Sequence, residues 1–279
     1  MESALSHAPT ITLSGGAEMP ALALGTWPMN DAETADAVAS ALAAGYRHID
    51  TAENYQNERG VGEGLRRSGV PREDVFITTK FNREWHSVAG AQQAFENSAE
   101  RLGVDTIDLL LVHWPNPDQG RYVDAVRGLA QLRDAGKIRA YGVSNFLPEH
   151  LEAVFAAGLT PEVNQIQLDP AHVWPAEQQL HREHGIVTIA YSPLGRGGDF
   201  LDSDPVQHAA AAHRKTPSQI VLRWHVQQGN AAAPKSGNPA RQRENLDIFD
   251  FALSDAEMAA ITALDTGEPG RHSSRDFGH

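Results

Sequence analysis

The chain has 279 residues, 41% hydrophobic and 21% charged, a balance that supports a packed core and argues against intrinsic disorder. Its formal net charge of -13, with no long run of Lys or Arg, disfavours general binding to nucleic acid or to an anionic membrane surface. No cysteine is present, which excludes disulfides, thiolate nucleophiles and Cys-ligated zinc.

The opening MESALSHAPT has neither a basic n-region nor an apolar h-region, so residues 1–10 read as a flexible tail rather than a secretory signal. The apolar runs that follow are too short to span a bilayer, and a cytoplasmic protein is expected. Residues 11–13 and 18–20 flank Ser14-Gly15-Gly16 and predict a small hairpin. From there strands and helices alternate. The expected strands are 21–27, 48–52, 75–81, 107–114, 138–144, 162–168, 186–191 and 231–234. The expected helices are 31–44, 58–67, 88–102, 122–135, 147–157, 177–184, 206–214, 218–228, 239–246 and 255–264. Gly45, Gly103 and Gly136 stand where helix C-caps belong.

About eight strand–helix rounds fit an α/β protein of the (β/α)8 TIM-barrel type, a single domain over 11–279. The hairpin would close its bottom, with extra helices near the C-terminus. Strands that are apolar in runs, not in alternation, suit a parallel sheet buried on both faces. The competing doubly wound sheet announces itself by G-x-G-x-x-G after its first strand, whereas this first strand ends LGTWPMN.

In a barrel the active site lies at the C-terminal strand ends. Here those ends carry Thr26-Trp27, Asp50, Lys80, His113-Trp114, Ser144-Asn145, Gln165, Tyr191-Ser192 and Lys235-Ser236. Each has an ordinary reading: Lys80 reaching solvent, His113 satisfied in the core, Asp50 capping a turn, Tyr55 packing its ring. Their occurrence on successive strands favours a joint one. A carbonyl that accepts hydride becomes an alkoxide and needs a proton donor. Tyr55 would be that acid, its pKa lowered by an adjacent Lys80 ammonium that Asp50 holds charged, with His113 orienting the carbonyl oxygen. Asp50, His48 and His113 are also potential metal ligands for a barrel hydrolase, but there is no His-x-His at the first strand and Lys80 would oppose a cation.

The chain resembles the aldo-keto reductases nearly end to end. The motifs are G-Y-R-H-I-D-T-A with Y-x-N-E-x-x-V-G (45–62), L-V-H-W-P (111–115), G-V-S-N-F (142–146), Y-S-P-L-G (191–195), and P-K-S with R-x-x-E-N (234–245). Bacterial members similar to the diketogluconate reductases share the flavour of K-T-P-x-Q (215–219) and L-R-W-H (222–225). The resemblance implies Asp50, Tyr55, Lys80 and His113 as a catalytic tetrad, direct hydride transfer from the cofactor to a small carbonyl substrate, and no metal. It places Tyr191 under the nicotinamide, Ser144, Asn145 and Gln165 on the carboxamide, and Ser192, Leu194 and Gly195 along the pyrophosphate. Thr26 and Trp27 would also touch the cofactor. Lys235, Ser236 and Arg241 would hold a 2′-phosphate and Glu244 and Asn245 reach the adenine, so NADPH is expected in preference to NADH. Trp27, Trp85 and Trp114 would wall the substrate pocket. A monomer is expected, with an NADPH-binding redox sensor or scaffold of little turnover as the alternative function.

Overall fold

A computed structural model describes residues 8–278; the expected N-terminal tail falls largely on residues 1–7, outside the described residues. Eight strands form one parallel sheet: β3 (Leu24–Gly25), β4 (His48–Asp50), β5 (Phe76–Phe81), β6 (Ile107–Val112), β7 (Ile138–Ser144), β8 (Val163–Gln167), β9 (Val187–Tyr191) and β10 (Ala231–Ala233). The sheet closes on itself where Leu22 bridges Ala232 and Gly25 bridges Lys235, with Gly25 N donating to Pro234 O at 3.0 Å. A Cβ on Gly25 would lie 2.9 Å from Ala233 O, so the closing strands approach as they do only because residue 25 has no side chain. This is the (β/α)8 TIM barrel that the alternation predicts.

The antiparallel hairpin of β1 (Thr10–Thr12) and β2 (Glu18–Pro20) sits under the barrel. Leu13 and Met19 pack with Phe76, Leu109, Leu111 and Ala140 in the lower core, and Gly15 N donates to Glu162 Oε2 at 2.8 Å. Around the strands run α1 (Asp31–Ala44), α2 (Glu58–Ser68), α3 (Val88–Leu102), α4 (Tyr122–Asp134), α5 (Pro148–Ala156), α6 (Pro175–Glu183), α7 (Asp204–His213), α8 (Pro217–Gln227), α9 (Pro239–Leu246) and α10 (Asp255–Thr262). No helix among the described residues is long and apolar enough to cross a membrane. Helix α2 lies close to its neighbours through glycine: a Cβ on Gly62 would meet Leu102 O at 2.2 Å.

The element edges differ from the sequence reading in a patterned way. Helices α6, α7 and α8 begin one or two residues earlier than the apolar periodicity indicates, and each has proline at its first or second position. Proline lacks the N–H that the first turn leaves unpaired, so it opens helices that periodicity alone starts too late. Strand β3 is shorter than 21–27 because Thr26 already turns away, its carbonyl accepting from Met29 N at 2.9 Å and from Asn57 Nδ2 at 3.2 Å. Strand β6 stops at Val112 rather than 114, and α10 at Thr262 rather than 264.

Candidate active site

Three adjacent strands and one short turn bring the expected acid–base residues together. Asp50 ends β4 and Lys80 is the penultimate residue of β5; the lysine side chain is fully buried. Its Nζ donates to Asp50 Oδ1 at 2.8 Å, to Thr51 O at 2.8 Å and to the Tyr55 hydroxyl at 3.5 Å. Three acceptors for three ammonium hydrogens are what a buried lysine needs to stay charged. Burial opposes that charge, but Asp50 and Tyr55 outweigh it, and the Lys80 pKa is raised.

Tyr55 sits on a 3-10 turn, Glu53–Tyr55, followed by Gln56 in the left-handed region at φ 56°. Carboxylates anchor the segment on either side. Glu53 accepts from Trp85 Nε1 at 3.1 Å on both oxygens and from Asn82 N at 3.3 Å. Glu58, at the start of α2, accepts from Thr79 Oγ1 at 2.5 Å and Arg101 Nε at 2.6 Å. The phenol is thereby held to β5 and α3 rather than left on a free loop. The His113 ring meets the Tyr55 ring edge-on with centroids 5.9 Å apart, and His113 N donates to Phe81 O at 3.1 Å.

One expectation is reversed. Lys80 was to lower the Tyr55 pKa; the structure gives a raised one, because burial of the phenol is the larger effect and Lys80 offsets only part of it. The lysine therefore steadies a phenol that keeps its proton across neutral pH. A second difference concerns Gln165, whose Nε2 donates to Asp50 Oδ2 at 2.6 Å. Both Asp50 oxygens thus take a donor, and Gln165 keeps Oε1 for a ligand.

The remaining expected residues line the same rim. Asn145, at φ 62°, accepts at Oδ1 from the Tyr191 hydroxyl at 2.9 Å and donates through Nδ2 to His113 O at 3.1 Å and Ser144 Oγ at 3.0 Å. Ser144 Oγ donates to Gln165 O at 2.9 Å. The Tyr191 ring is thus fixed in orientation at the end of β9, and Ser192 at φ 50° turns the chain into Leu194 and Gly195. On the far side of the closure, Lys235 and Arg241 are exposed and, among the described residues, have no carboxylate within 4.0 Å. They flank the start of α9, where Asn238 caps Ala240 N at 2.8 Å and Ser236 Oγ accepts from Asn238 N at 3.2 Å. Glu244 instead accepts from Thr216 Oγ1 at 2.7 Å, joining α9 to α8, and Asn245 is buried.

Among the tryptophans, Trp114 is buried against His113, Trp85 is pinned to Glu53, and Trp27 is 44% exposed with the Arg196 guanidinium 4.4 Å above its ring. The C-terminal segment covers this end of the barrel: Phe277 packs edge-on to Trp114 at 4.8 Å, and Arg271 donates to Gly195 O at 2.8 Å. Sequence reasoning assigned nothing to Arg196 or Arg271; the signal for the first was a lone Arg inside Gly195-Arg196-Gly197-Gly198, and for the second there was none. His48 is spent on structure, its ring nitrogens 2.9 Å from Pro20 O and 2.8 Å from Thr78 Oγ1. Among the described residues no group of three or more His, Asp or Glu is arranged to hold a metal ion.

The arrangement suits a dinucleotide phosphate: among the described residues, an amide oxygen at Gln165 without a partner, a fixed aromatic face at Tyr191, and two cations without a carboxylate at a helix start. Comparison with known proteins identifies a family. The model of the Aldo/keto reductase family matches residues 20–266. An aldo-keto reductase of Mycolicibacterium smegmatis is 47% identical over 265 residues, 93% of this chain and 94% of the relative. The 2,5-diketo-D-gluconic acid reductase B of a Corynebacterium species is 42% identical over 264 residues, 94% of this chain and 95% of the relative. The crystal structure of a Bombyx mori aldo-keto reductase in complex with NADP superposes with a TM-score of 0.88 at 34% identity, covering 95% of each chain.

Proposed function

The chain belongs to the aldo/keto reductase family of NAD(P)H-dependent oxidoreductases, and from that premise we propose that it reduces an aldehyde or ketone to an alcohol with NADPH, Tyr55 serving as the general acid. When bound, NADPH supplies the hydride. Everything else is work for the side chains described above. Gln165, Ser144 and Asn145 hold a carboxamide, and the Tyr191 ring backs the nicotinamide, so that one face of it is offered to the substrate. Lys235 and Arg241, with the capped start of α9 and Ser236 beside them, receive the 2′-phosphate. The 34%-identical Bombyx mori enzyme carries NADP, which supports the same choice here.

The observation that carries this reading is the buried Asp50–Lys80–Tyr55 chain facing His113. As charge develops on the carbonyl oxygen, the His113 ring orients that oxygen and the Tyr55 hydroxyl delivers its proton. A phenol with a raised pKa does not lose that proton early, and the Lys80 ammonium 3.5 Å away stabilises the phenolate once it forms. Asp50 acts through Lys80, keeping it charged. General acid catalysis contributes about 10²–10⁴-fold, so Tyr55→Phe is expected to lower turnover by at least ~100-fold while NADPH still binds. The assay is loss of nicotinamide absorbance with phenylglyoxal in the presence of EDTA. Unchanged turnover would remove Tyr55 as the acid.

A further inference from the structure

We propose that Arg196 and Arg271 form a carboxylate subsite at the mouth of the barrel, so that the preferred substrates are anionic carbonyl compounds, keto acids or aldehyde acids; this rests on the carbonyl-reductase reading above. The two guanidiniums come from different parts of the chain and are held at the same short loop. Arg196 follows Gly195 after β9, and its guanidinium lies over the Trp27 ring at 4.4 Å. Stacking occupies the faces of the guanidinium and leaves its N–H fork in the plane, the geometry that receives a carboxylate edge-on. Arg271 is carried by the C-terminal segment, tied to this loop by Nη2 donating to Gly195 O at 2.8 Å and to β8 by its backbone N donating to Gln167 Oε1 at 3.0 Å. Among the described residues its other guanidinium N–H groups have no hydrogen-bond partner.

Neither arginine has a carboxylate within 4.0 Å among the described residues. Arg275, four residues further on, meets Glu149 at 2.6 Å, whereas Arg196 and Arg271 stand at one loop without such a partner. Two uncompensated like charges at one loop repel each other, and an anion between them relieves the repulsion. The surroundings point to substrate. The charge of Arg196 reaches both Tyr55 and Tyr191, and that of Arg271 reaches Tyr191. The segment carrying Arg271 also places Phe277 and His272 against Trp114, next to His113. A carboxylate held here would put the carbonyl of a small acid beside the phenol.

A cofactor pyrophosphate offers the same anionic oxygens, and the test separates the two. The substrates are 4-carboxybenzaldehyde and methyl 4-formylbenzoate, alike in ring and carbonyl and different in charge. Wild type is expected to favour the acid in kcat/KM, and Arg196→Gln and Arg271→Gln each to lower the acid-to-ester ratio by about 10-fold, the low end for a hydrogen bond to a charged group at an exposed site. NADPH affinity is read in parallel by tryptophan fluorescence. Weakened NADPH with an unchanged acid-to-ester ratio would assign the pair to the cofactor's phosphates and overturn the proposal. Saturation-transfer NMR with 4-(hydroxymethyl)benzoate, without cofactor, gives a readout independent of turnover: binding to wild type that is lost in both variants supports the subsite, and equal binding to all three overturns it. If wild type reduces neither aldehyde, the reductase reading fails, and the NMR result still decides the subsite.

Discussion

Replacing Asp50 by Asn tests whether the site is held together by a buried charge. Lys80 is 0% exposed and has one charged acceptor, Asp50 Oδ1 at 2.8 Å; its other partners, Thr51 O and the Tyr55 hydroxyl, are neutral. Removing one partner of a buried pair costs about 3–5 kcal/mol. The two neutral acceptors survive, so the lower end, ~3 kcal/mol, is expected, and at about 2–4 °C per kcal/mol the melting temperature falls by roughly 6–12 °C. The pH dependence carries a sign. In the wild type the folded Lys80 pKa is raised, so its contribution is complete below the ordinary lysine value and is lost as pH rises through the folded one. Without Asp50, burial becomes the leading influence and the shift reverses. The variant should then recover stability relative to wild type between about pH 7 and pH 10 as the amine becomes neutral. Gln165 adds a second effect: its Nε2 faces Asp50 Oδ2 at 2.6 Å, and an asparagine NH2 there forces the Gln165 amide to turn, taking Oε1 away from the cofactor and weakening NADPH. Urea and thermal denaturation followed by circular dichroism measure the first effect. Asp50→Asn with Lys80→Met removes the buried charge and should regain at least half of the loss. A single variant that loses under about 1 kcal/mol, or a double variant no better than the single, would refute the buried-charge account.

Arg241→Ala should weaken NADPH about 10-fold and leave NADH nearly unchanged, with the difference shrinking at high salt; equal weakening of both would place the 2′-phosphate elsewhere. Gly62→Ala drives a Cβ to 2.2 Å from Leu102 O, a backbone atom, and is expected to cost about 3 kcal/mol of unfolding free energy in urea titrations. His86 is pushed down to about 4, by burial first and then by Arg121 and Arg83. Its folded pKa lies below the unfolded one, so the stability it contributes is complete above about pH 6.5 and is lost as pH falls towards 4. Among the described residues neither His86 ring nitrogen has a hydrogen-bond partner, so His86→Phe should flatten that acid slope without forfeiting a bond; an unchanged slope of urea midpoint against pH would contradict this.

The barrel was readable because parallel strands buried on both faces are apolar runs, and a run that ends in Asp50, Lys80 or His113 marks its functional end. The sign of the Tyr55 shift was not readable. It depends on how deeply the phenol is covered, and on a balance between burial and Lys80 that spacing along the chain does not disclose. The Gln165–Asp50 hydrogen bond joins residues at opposite sides of the barrel, so a sequence-based assignment could see only the ligand side of Gln165. Trp85 was expected in the pocket wall by residue type; its indole N–H proves to serve the Glu53 carboxylate that starts the tyrosine's turn. The helix starts at Pro175 and Pro217 were missed for a simpler reason, since hydrophobic periodicity says nothing of a first turn that opens on proline and continues in small and polar residues.

Closure of the sheet joins Leu22 to Ala232 and Gly25 to Lys235, the first barrel strand to the last. Such a seam is the longest-range pairing the fold contains, so its loop-closure entropy is met only after the strands between have docked. During synthesis β3 waits with its outer edge bare until β10 emerges, an open ladder of the kind that pairs with other chains. Lys235 and Arg241, which we propose receive the 2′-phosphate, follow β10 directly, so they take their places in the same event that seals the barrel. A chain stopped before that strand would therefore lose its solubility and its nucleotide together, and suppression of aggregation by excess NADPH would act only on chains that had already closed.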